Sequence, residues 1–314
     1  MKPRYLSLAS LIAWRQSERP IDWSQRFGRQ TCLEVEIGFG NGEFLVRQAQ
    51  QHPDRHYVGI ELEWASIQRG LRRIAQTSVH NVRLVQVDAR VALQRLFRPH
   101  CIARLYALFP CPWPKQRHVK YRLFSQRFLQ LLNSRLVPGG AVQIVTDHQG
   151  YVDWVLDQVP GSGFDVRWRA VPAQFRTKYE RKWQAHGQAQ FYEMCLRQQQ
   201  HATAAFHEDI ALQTYRVESF TPETFHPIGR RGDIAVEFKD FLFDPTRQIG
   251  MVRAFTTEEY FKQDFWIEIV QRDGTWSIRP APGCSMVPTA GVQRALDCVR
   301  DAILHGPSGP DASA

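Results

Sequence analysis

A short glycine-rich segment near the amino terminus has the composition of a cofactor-binding turn. Residues 34–42 read EVEIGFGNG, so an acidic and apolar strand runs directly into Gly38 and Gly40. Glycines at such a turn let a ligand approach the backbone closely, in the crevice where open α/β sheets bind nucleotides. The spacing GxGxG differs from the GxGxxG of dinucleotide sites, and Glu36 offers a carboxylate to a cationic group. The segment therefore predicts a nucleoside cofactor with a cationic end, as in S-adenosyl-L-methionine.

Two further strand ends carry acidic residues at the spacing expected around a nucleoside. Glu61 lies 23 residues after Gly38, where a carboxylate can accept hydrogen bonds from both ribose hydroxyls. Asp88 and Ala89 end the next strand and are expected to face an adenine edge. Each has a simpler alternative, because Asp88 could cap a helix and Glu61 could be a surface charge. The ordered set of three strand ends favours a cofactor site.

The elements that would position these residues alternate between strand and helix. Strand character is found at residues 31–37, 57–61, 82–87, 104–109 and 141–146, and helical spacing at residues 42–51, 65–77 and 122–132. The sequence VPGG at residues 137–140 predicts a turn. Strands separated by helices predict an open, mostly parallel, Rossmann-like α/β sheet with helices on both faces.

The pattern changes after a polar run at residues 198–203, which is predicted to be a linker. Strand-like segments follow at residues 233–243, 250–255, 265–270 and 275–279, and the hairpin dipeptide Asp273-Gly274 separates the last two. Residues 292–304 have the spacing of a closing amphipathic helix. We therefore expect the cofactor domain to span residues 1–199. A small α+β domain of unknown role should span residues 200–314, with a disordered tail after His305.

Charge divides the chain in the same way. The net charge is +9, but residues 1–199 carry 29 Lys and Arg against 15 Asp and Glu, whereas residues 200–314 carry 11 against 16. A polyanion such as RNA is expected to bind the first part and to be repelled by the second. The alternative is a basic surface that serves only solubility.

Signals for membranes, secretion and metals are not recognised in the sequence. No apolar run reaches the roughly 18 residues of a membrane span, and no signal peptide is evident, so a cytoplasmic protein is expected. The six cysteines form no CxxC pair and no zinc spacing with histidine, so no metal site is expected. Apart from Cys111, they are expected to be reduced and mostly buried.

A proline-rich segment at residues 108–123, LFPCPWPKQRHVKYRL, combines an aromatic ring with positive charges. Prolines on both sides of Cys111 stiffen the loop, and Trp113 offers a flat surface on which a base can stack. A cationic strip suited to phosphates consists of Lys115, Arg117, His118, Lys120 and Arg122. The alternative is a turn that packs its Trp into the core and leaves the basic residues solvated.

This segment resembles the F-P-D-P-W-x-K-x-R-H-x-K-R-R signature of bacterial tRNA (guanine-N7-)-methyltransferases. Further matches are EIGFG at residues 36–40, GIE at residues 59–61, Thr146-Asp147 and TKYE at residues 177–180, so the resemblance covers residues 31–197. No counterpart of residues 200–314 is found in the family's usual pattern. The resemblance implies a methyltransferase sheet of five to seven strands. It also implies methyl transfer from S-adenosyl-L-methionine to N7 of a guanine in the variable loop of tRNA.

Motif positions in the resemblance imply the site residues. The cofactor site would be lined by Glu36, Gly38, Gly40, Glu61, Asp88, Ala89 and Cys111. The guanosine or its surroundings would be bound by Lys115, Asp147, Thr177, Lys178, Tyr179 and Glu180. Glu180 is expected to accept from guanine N1 and N2, with a surface salt-bridge cluster as the alternative, and Asp147 could instead cap a helix.

Position 111, the catalytic candidate, departs from the family signature, because Cys111 stands where the family has aspartate. Tyr121 likewise replaces a residue that is usually basic. N7 of guanine has a free lone pair and no proton, so its methylation needs alignment and electrostatic support but no general base. Loss of the aspartate should therefore weaken activity without abolishing it. A nucleophilic role for Cys111 is less favoured, since only His118 offers a nearby base.

Three functions remain open at this point. We favour a tRNA guanine-N7 methyltransferase with an altered site. The second candidate is a methyltransferase that uses S-adenosyl-L-methionine on another RNA position or on a small molecule. The third is a non-catalytic protein that binds the cofactor and tRNA. A monomer or a homodimer is expected.

Overall fold

The computed structural model of the protein describes residues 6–187 and 190–306. The predicted disordered tail after His305 lies outside these ranges, apart from Gly306, and so do residues 1–5. The chain divides into two units, Met1–His207 and Glu208–Ala314, and the division falls eight residues beyond the expected boundary. The units are described separately below.

The first unit is built on one sheet of seven strands. They are β1 (Leu33–Ile37), β2 (His56–Glu61), β3 (Val82–Gln86), β4 (Ile102–Leu108), β5 (Leu136–Thr146), β6 (Phe164–Val171) and β7 (Phe191–Gln198). Their order across the sheet is β3-β2-β1-β4-β5-β7-β6. Strands β1 to β5 pair in parallel, and β7 pairs antiparallel with both β5 and β6. The expected open, mostly parallel α/β sheet is confirmed.

Seven α-helices belong to this unit within the described residues, besides two short 3-10 helices at Trp14–Gln16 and Gln116–Tyr121. The α-helices are α1 (Trp23–Phe27), α2 (Glu43–Gln51), α3 (Trp64–Thr77), α4 (Ala89–Arg95), α5 (Gln126–Arg135), α6 (Gln149–Gln158) and α7 (Lys178–Ala185). Every residue of β1 is buried, which is typical of a parallel strand that is covered on both faces. Helix α3 buries Ile67, Leu71 and Ile74, so the helix predicted at residues 65–77 is confirmed.

Two local predictions were wrong. The turn predicted at residues 137–140 lies inside β5, where the pairing with β4 shifts register and Gly139 has a φ of +74°. Glycine adopts this left-handed conformation without the Cβ penalty, so the strand continues through an irregularity instead of turning back. The helix predicted at residues 122–132 begins only at Gln126, because the side chain of Ser125 caps it by accepting from the amide of Phe128.

Residues 199–207, which we call the strap, include most of the linker predicted at residues 198–203 and are hydrogen-bonded to the rest of the first unit. The guanidinium of Arg135, whose exposed fraction is 0%, donates to the carbonyl oxygen of Ala205 at 3.2 Å. The amide group of Asn133, also fully buried, donates to the carbonyl oxygen of Gln200 at 3.1 Å. The strap therefore adds acceptors for two buried side chains that also donate to Leu93 and Ser162 of the core.

The second unit is a five-stranded antiparallel sheet with one helix. Its elements are β8 (Tyr215–Val217), β9 (Ile234–Asp244), β10 (Ile249–Glu258), β11 (Phe261–Arg272), β12 (Thr275–Pro280) and α8 (Ala290–His305), and the strand order is β8-β12-β11-β10-β9. Leu296 and Val299 of α8 share a core with Ile267 of β11. The hairpin at Asp273 and Gly274 is confirmed, with φ angles of +50° and +79°.

No helix among residues 6–187 and 190–306 is long and apolar enough to cross a membrane.

Candidate functional site

The turn after β1 opens a crevice at the carboxyl ends of the parallel strands. Gly38, Gly40 and Gly42 have φ angles of +69°, +57° and +73°, which side chains with a Cβ rarely adopt. A Cβ on Gly38 would meet nothing within 4 Å, so the space beside this residue is open to a ligand. The crevice is lined by six of the predicted site residues: Glu36, Gly38, Gly40, Thr177, Lys178 and Tyr179. The predicted cofactor and substrate motifs therefore meet in one place.

Glu36 is the buried acidic group of this crevice. Its exposed fraction is 3%, and its Oε2 atom has no hydrogen-bond partner among the described residues. Burial raises the pKa of this carboxyl to about 8, although the Arg47 guanidinium and the amide of Leu45 oppose the rise and Glu61 adds to it. A buried oxygen without a donor is rare in folded proteins. The ammonium group of a methionine-type cofactor would supply that donor, so the residues present fit S-adenosyl-L-methionine.

Glu61 and Asp88 are not among the residues that line the crevice and are already engaged in local hydrogen bonds. The Oε2 of Glu61 accepts from the amide of Gly40 at 3.1 Å, which ties the end of β2 to the glycine turn. Asp88 caps α4 by accepting from the amide of Arg90 at 2.8 Å, and its Oδ2 lies 2.6 Å from the Arg90 guanidinium. The alternative that Asp88 caps a helix is thus confirmed. The roles of Glu61 with ribose, and of Asp88 and the buried Ala89 with adenine, stay predictions.

Residues 109–123 follow β4 and carry the family signature, and we call them the signature loop. Their backbone is constrained around Cys111. Phe109 and Trp113 have φ angles of +57° and +42°, which bulky residues adopt only when their surroundings enforce them. Cys111 itself is exposed. The ring of Trp113 is half-buried and contacts the rings of His118 and Tyr121, with centroids 5.6 Å and 5.4 Å away. The alternative that packs this Trp into the core is therefore wrong.

Arg122 does not belong to the cationic strip. Its Nε donates to the carbonyl oxygen of Pro112 at 2.8 Å, and its guanidinium lies 5.1 Å from the ring centroid of Trp154. The side chain is therefore part of the support of the signature loop. Lys115, Arg117 and Lys120 are exposed and remain available to phosphates.

Glu180 is not free to accept from guanine, which corrects the expectation for this residue. Its exposed fraction is 1%, and its Oε1 accepts from the amides of Gln174 and Phe175 at 2.7 Å and 3.0 Å. Its Oε2 accepts from the amide of Arg176. Both oxygens therefore hold the loop before α7. Thr177 supports the same turn, because its Oγ1 accepts from the amide of Glu180 and caps the helix.

Helix α7 is also tied to the glycine turn across the crevice. The guanidinium of Arg181 contacts both carboxylate oxygens of Glu43 at 2.6 Å and 2.8 Å, and Arg47 donates to the carbonyl oxygen of Phe175. The ring of Tyr179 lies 3.8 Å from the position that a Cβ on Gly40 would occupy. The glycine turn, on the cofactor side, and α7, on the substrate side, are therefore held close together.

Asp147 follows β5 but does not cap the next helix. The cap of α6 is His148, whose Nδ1 accepts from the amide of Tyr151 at 3.1 Å. The helix-cap alternative for Asp147 is therefore wrong, and its role with guanosine stays a prediction. Seven of the predicted site residues are not among those that line the crevice: Glu61, Asp88, Ala89, Cys111, Lys115, Asp147 and Glu180.

The cysteines are more accessible than expected. All six are free, but only Cys298 is buried, whereas Cys32 is exposed like Cys111. Cys101, Cys195 and Cys284 are half-buried. In the part of the chain that the structure describes, no three His, Cys, Asp or Glu side chains are grouped to hold a metal ion.

Several residues of the crevice were not recognised from the sequence. Those that line it are Asn41, Phe44, Ser66, Arg69 and Leu108. Ser66 and Arg69 lie near the start of α3, which was predicted only as a helix. Their position at the carboxyl edge of β2 is the signal that could have identified them, because ligands bind at that edge.

Comparison with known proteins agrees with this geometry. Residues 30–193 match the model of a family described as "Putative methyltransferase". A tRNA (guanine-N(7)-)-methyltransferase of Chlorobium phaeobacteroides is 43% identical over 169 residues, which cover 54% of this chain and 83% of that protein. The enzyme of the same name from Thermotoga maritima is 32% identical over 289 residues, or 88% of this chain and 91% of that protein.

A third relative, from Aquifex aeolicus, has the same name and is 29% identical over 92% of this chain and 97% of its own length. Matches of this extent reach into the second unit, so the family does contain counterparts of residues 200–314, contrary to the sequence analysis. With its glycine turn, buried Glu36 and signature loop at one edge of the sheet, the chain belongs to the tRNA (guanine-N7-)-methyltransferase family.

Proposed function

We propose that this protein transfers a methyl group from S-adenosyl-L-methionine to N7 of a guanine in tRNA. The observation that carries the proposal is the shared crevice, in which the unpaired buried oxygen of Glu36 and the motif residues Thr177 to Tyr179 lie together. The relatives named above are tRNA (guanine-N(7)-)-methyltransferases, which supports both the donor and the acceptor. The variable-loop position, the cytoplasmic location and the monomeric or dimeric state are parts of the same proposal.

The cofactor, when bound, supplies a methyl group on a positively charged sulfur. Glu36 would hold the ammonium of its methionine part, and the open side of Gly38 would let the backbone approach it closely. Glu61, at the end of β2, would accept from the ribose hydroxyls once its contact to Gly40 rearranges. The buried position of Glu36 strengthens this charge–charge contact, because the surrounding protein screens charges less than water does.

On the acceptor side, the chain needs to orient a guanine and has no proton to remove. N7 offers its lone pair directly, so the rate depends on aligning it with the methyl carbon and the sulfur. Tyr179, 45% exposed at the rim of the crevice, offers an aromatic surface to the base, and Glu180 fixes the loop that carries it. Cys111 does not provide the charge of the family's aspartate, so electrostatic support at this position is reduced.

The test is methylation of an unmodified tRNA transcript, with the methylated base located by chain cleavage at 7-methylguanosine. We expect incorporation at one guanine and none when that guanine is replaced by 7-deazaguanosine, which lacks N7. Methylation that survives the 7-deaza replacement would identify another position on the RNA as the acceptor. Binding of cofactor and tRNA without any turnover would support the non-catalytic alternative instead.

A further inference from the structure

The segment from β6 to the end of α7, residues 164–185, has an unusual charge distribution. It contains six cations, namely Arg167, Arg169, Arg176, Lys178, Arg181 and Lys182, and all six are exposed. Of its two carboxylates, Asp165 is exposed, whereas Glu180 is buried and bound by backbone amides. We call this segment the basic arm. Its solvent-facing charge is therefore mostly positive.

Four of these cations have no carboxylate within salt-bridge distance among the described residues. Arg169 pairs with Glu193 at 2.7 Å and Arg181 pairs with Glu43 at 2.6 Å. The four that remain are Arg167, Arg176, Lys178 and Lys182. Unpaired cations of one sign on one segment repel each other, so this arrangement costs free energy unless a polyanion is present.

The basic arm is held in place by the contacts that anchor its middle. Glu180 fixes the loop before α7, and Arg181 and Phe175 are tied to Glu43 and Arg47 of α2. A ligand that binds the arm therefore meets cations on a backbone that is already ordered, which reduces the entropy lost on binding.

The arm also extends well away from the reacting centre. Strand β6 is antiparallel to β7, and β7 is antiparallel to β5, so β6 points toward the crevice edge like the parallel strands. Arg167 lies four residues before the end of β6, or roughly 13 Å along the strand. Trp168, next to it, is 45% exposed but lies on the opposite face of the strand, because successive side chains of a strand alternate between its two faces. A row of spaced, exposed cations suits the phosphates of a nucleic-acid strand.

We propose that the basic arm binds the tRNA backbone outside the target guanine, with Arg167 and Lys182 on phosphates. This rests on the proposed function for the identity of the RNA. Because these contacts form in both the ground state and the transition state, they lower KM for tRNA without raising kcat.

The test is the double variant Arg167→Gln/Lys182→Gln, with tRNA binding measured by fluorescence anisotropy between 50 mM and 200 mM salt. Neither side chain takes part in a salt bridge among the described residues, so the fold should be preserved. The magnitude of the slope of log K against log salt should fall by about 1.5–2, and Kd should rise by about fivefold or more. KM for tRNA should rise in parallel, with kcat unchanged.

The matched control is Arg216→Gln/Arg247→Gln, which removes the same charge from exposed positions in the acidic second unit. It should leave the slope and Kd unchanged. An unchanged slope in the arm variant would overturn the inference. An equal loss of tRNA affinity in the control variant would overturn it as well. A change in sedimentation of the free arm variant would also overturn it, because the arm would then be a protein interface.

The binding measurement separates this inference from the proposed function. If the wild-type protein binds tRNA with an arm-dependent slope but methylates no guanine, the proposed function fails and the arm remains a tRNA-binding surface. If methylation of N7 occurs with wild-type KM in the arm variant, the arm inference fails alone.

Discussion

Cofactor binding should release a proton from Glu36, and replacing this residue by glutamine should remove that release. Burial raises the pKa of the Glu36 carboxyl to about 8, so the carboxyl is mostly protonated at pH 7 in the free protein. An ammonium group bound against it favours the ionised form and lowers the pKa again. Binding and ionisation are therefore coupled.

The size of the effect follows from the pKa. At pH 7, one unit below this pKa, about nine-tenths of the protein molecules carry the proton on Glu36. Binding at pH 7 should therefore release about 0.9 proton per cofactor. Only about one molecule in eleven is ready to bind at that pH, which weakens the apparent affinity about tenfold relative to full ionisation. At pH 9 the contribution of the Glu36 carboxyl to this release should fall to about 0.1 proton.

The assay is titration calorimetry with S-adenosylhomocysteine at pH 7 in phosphate and in Tris, two buffers with different ionisation enthalpies. The difference in heat between the buffers gives the number of protons released. Glu36→Gln should show none, whereas Glu61→Gln should still release protons, though somewhat fewer than the wild-type protein because Glu61 contributes to the raised pKa of Glu36. Equal heats in both buffers for the wild-type protein, or an undiminished release in Glu36→Gln, would refute the reasoning.

The remaining predictions concern stability and catalysis. The pKa of the Glu36 carboxyl is about 8 in the folded protein and 4.5 in the unfolded chain. The free energy of unfolding that this difference contributes is therefore fully present below pH 4.5 and is lost as the pH rises through about 8. Thermal unfolding of the cofactor-free protein should show this loss, and Glu36→Gln should reduce it. In single-turnover assays, Cys111→Asp should raise the methylation rate roughly tenfold, because the aspartate supplies the negative charge near the guanine that the thiol lacks. Cys111→Ser should leave the rate near that of the wild-type protein. A serine variant that binds both substrates but does not react would contradict this. Glu180→Gln should lower the free energy of unfolding by about 1.5–3 kcal/mol, measured by chemical denaturation, because it weakens charge-assisted bonds to three amides. A chain that ends after His207 should fold and keep its tRNA affinity, whereas one that ends after Gln200 should melt at a lower temperature; equal melting points would show that the strap contributes nothing.

Local patterns in the sequence were sufficient to predict the elements that bind the cofactor. β1 was recognisable because its apolar residues alternate with Glu34 and Glu36 at the period of a strand, and α3 because its apolar residues recur at helical spacing. The glycine turn was recognisable because its conformation needs residues without a Cβ. These features depend on neighbours in the chain, so the sequence reports them directly.

The role of Glu180 depends on geometry that the sequence does not display. Its partners are amides that converge only because Arg176 adopts a φ of +51°, and a carboxylate in a substrate motif gives no sign of being enclosed. The strap was equally hidden, since Arg135 and Ala205 are 70 residues apart. Long-range partners of polar groups arise from tertiary packing, and a polar run such as QQQHAT has the same composition whether or not it is bound.

The strap also determines where this methyltransferase can be joined to other sequences. A fusion or domain exchange made inside residues 199–207 would leave the Arg135 guanidinium in the interior with fewer acceptors, and selection would remove such a chain as poorly folded. A junction placed after His207 leaves the catalytic unit chemically complete. Recombination of the second unit with a different partner, in evolution or in the laboratory, should therefore succeed only when the break falls beyond this point.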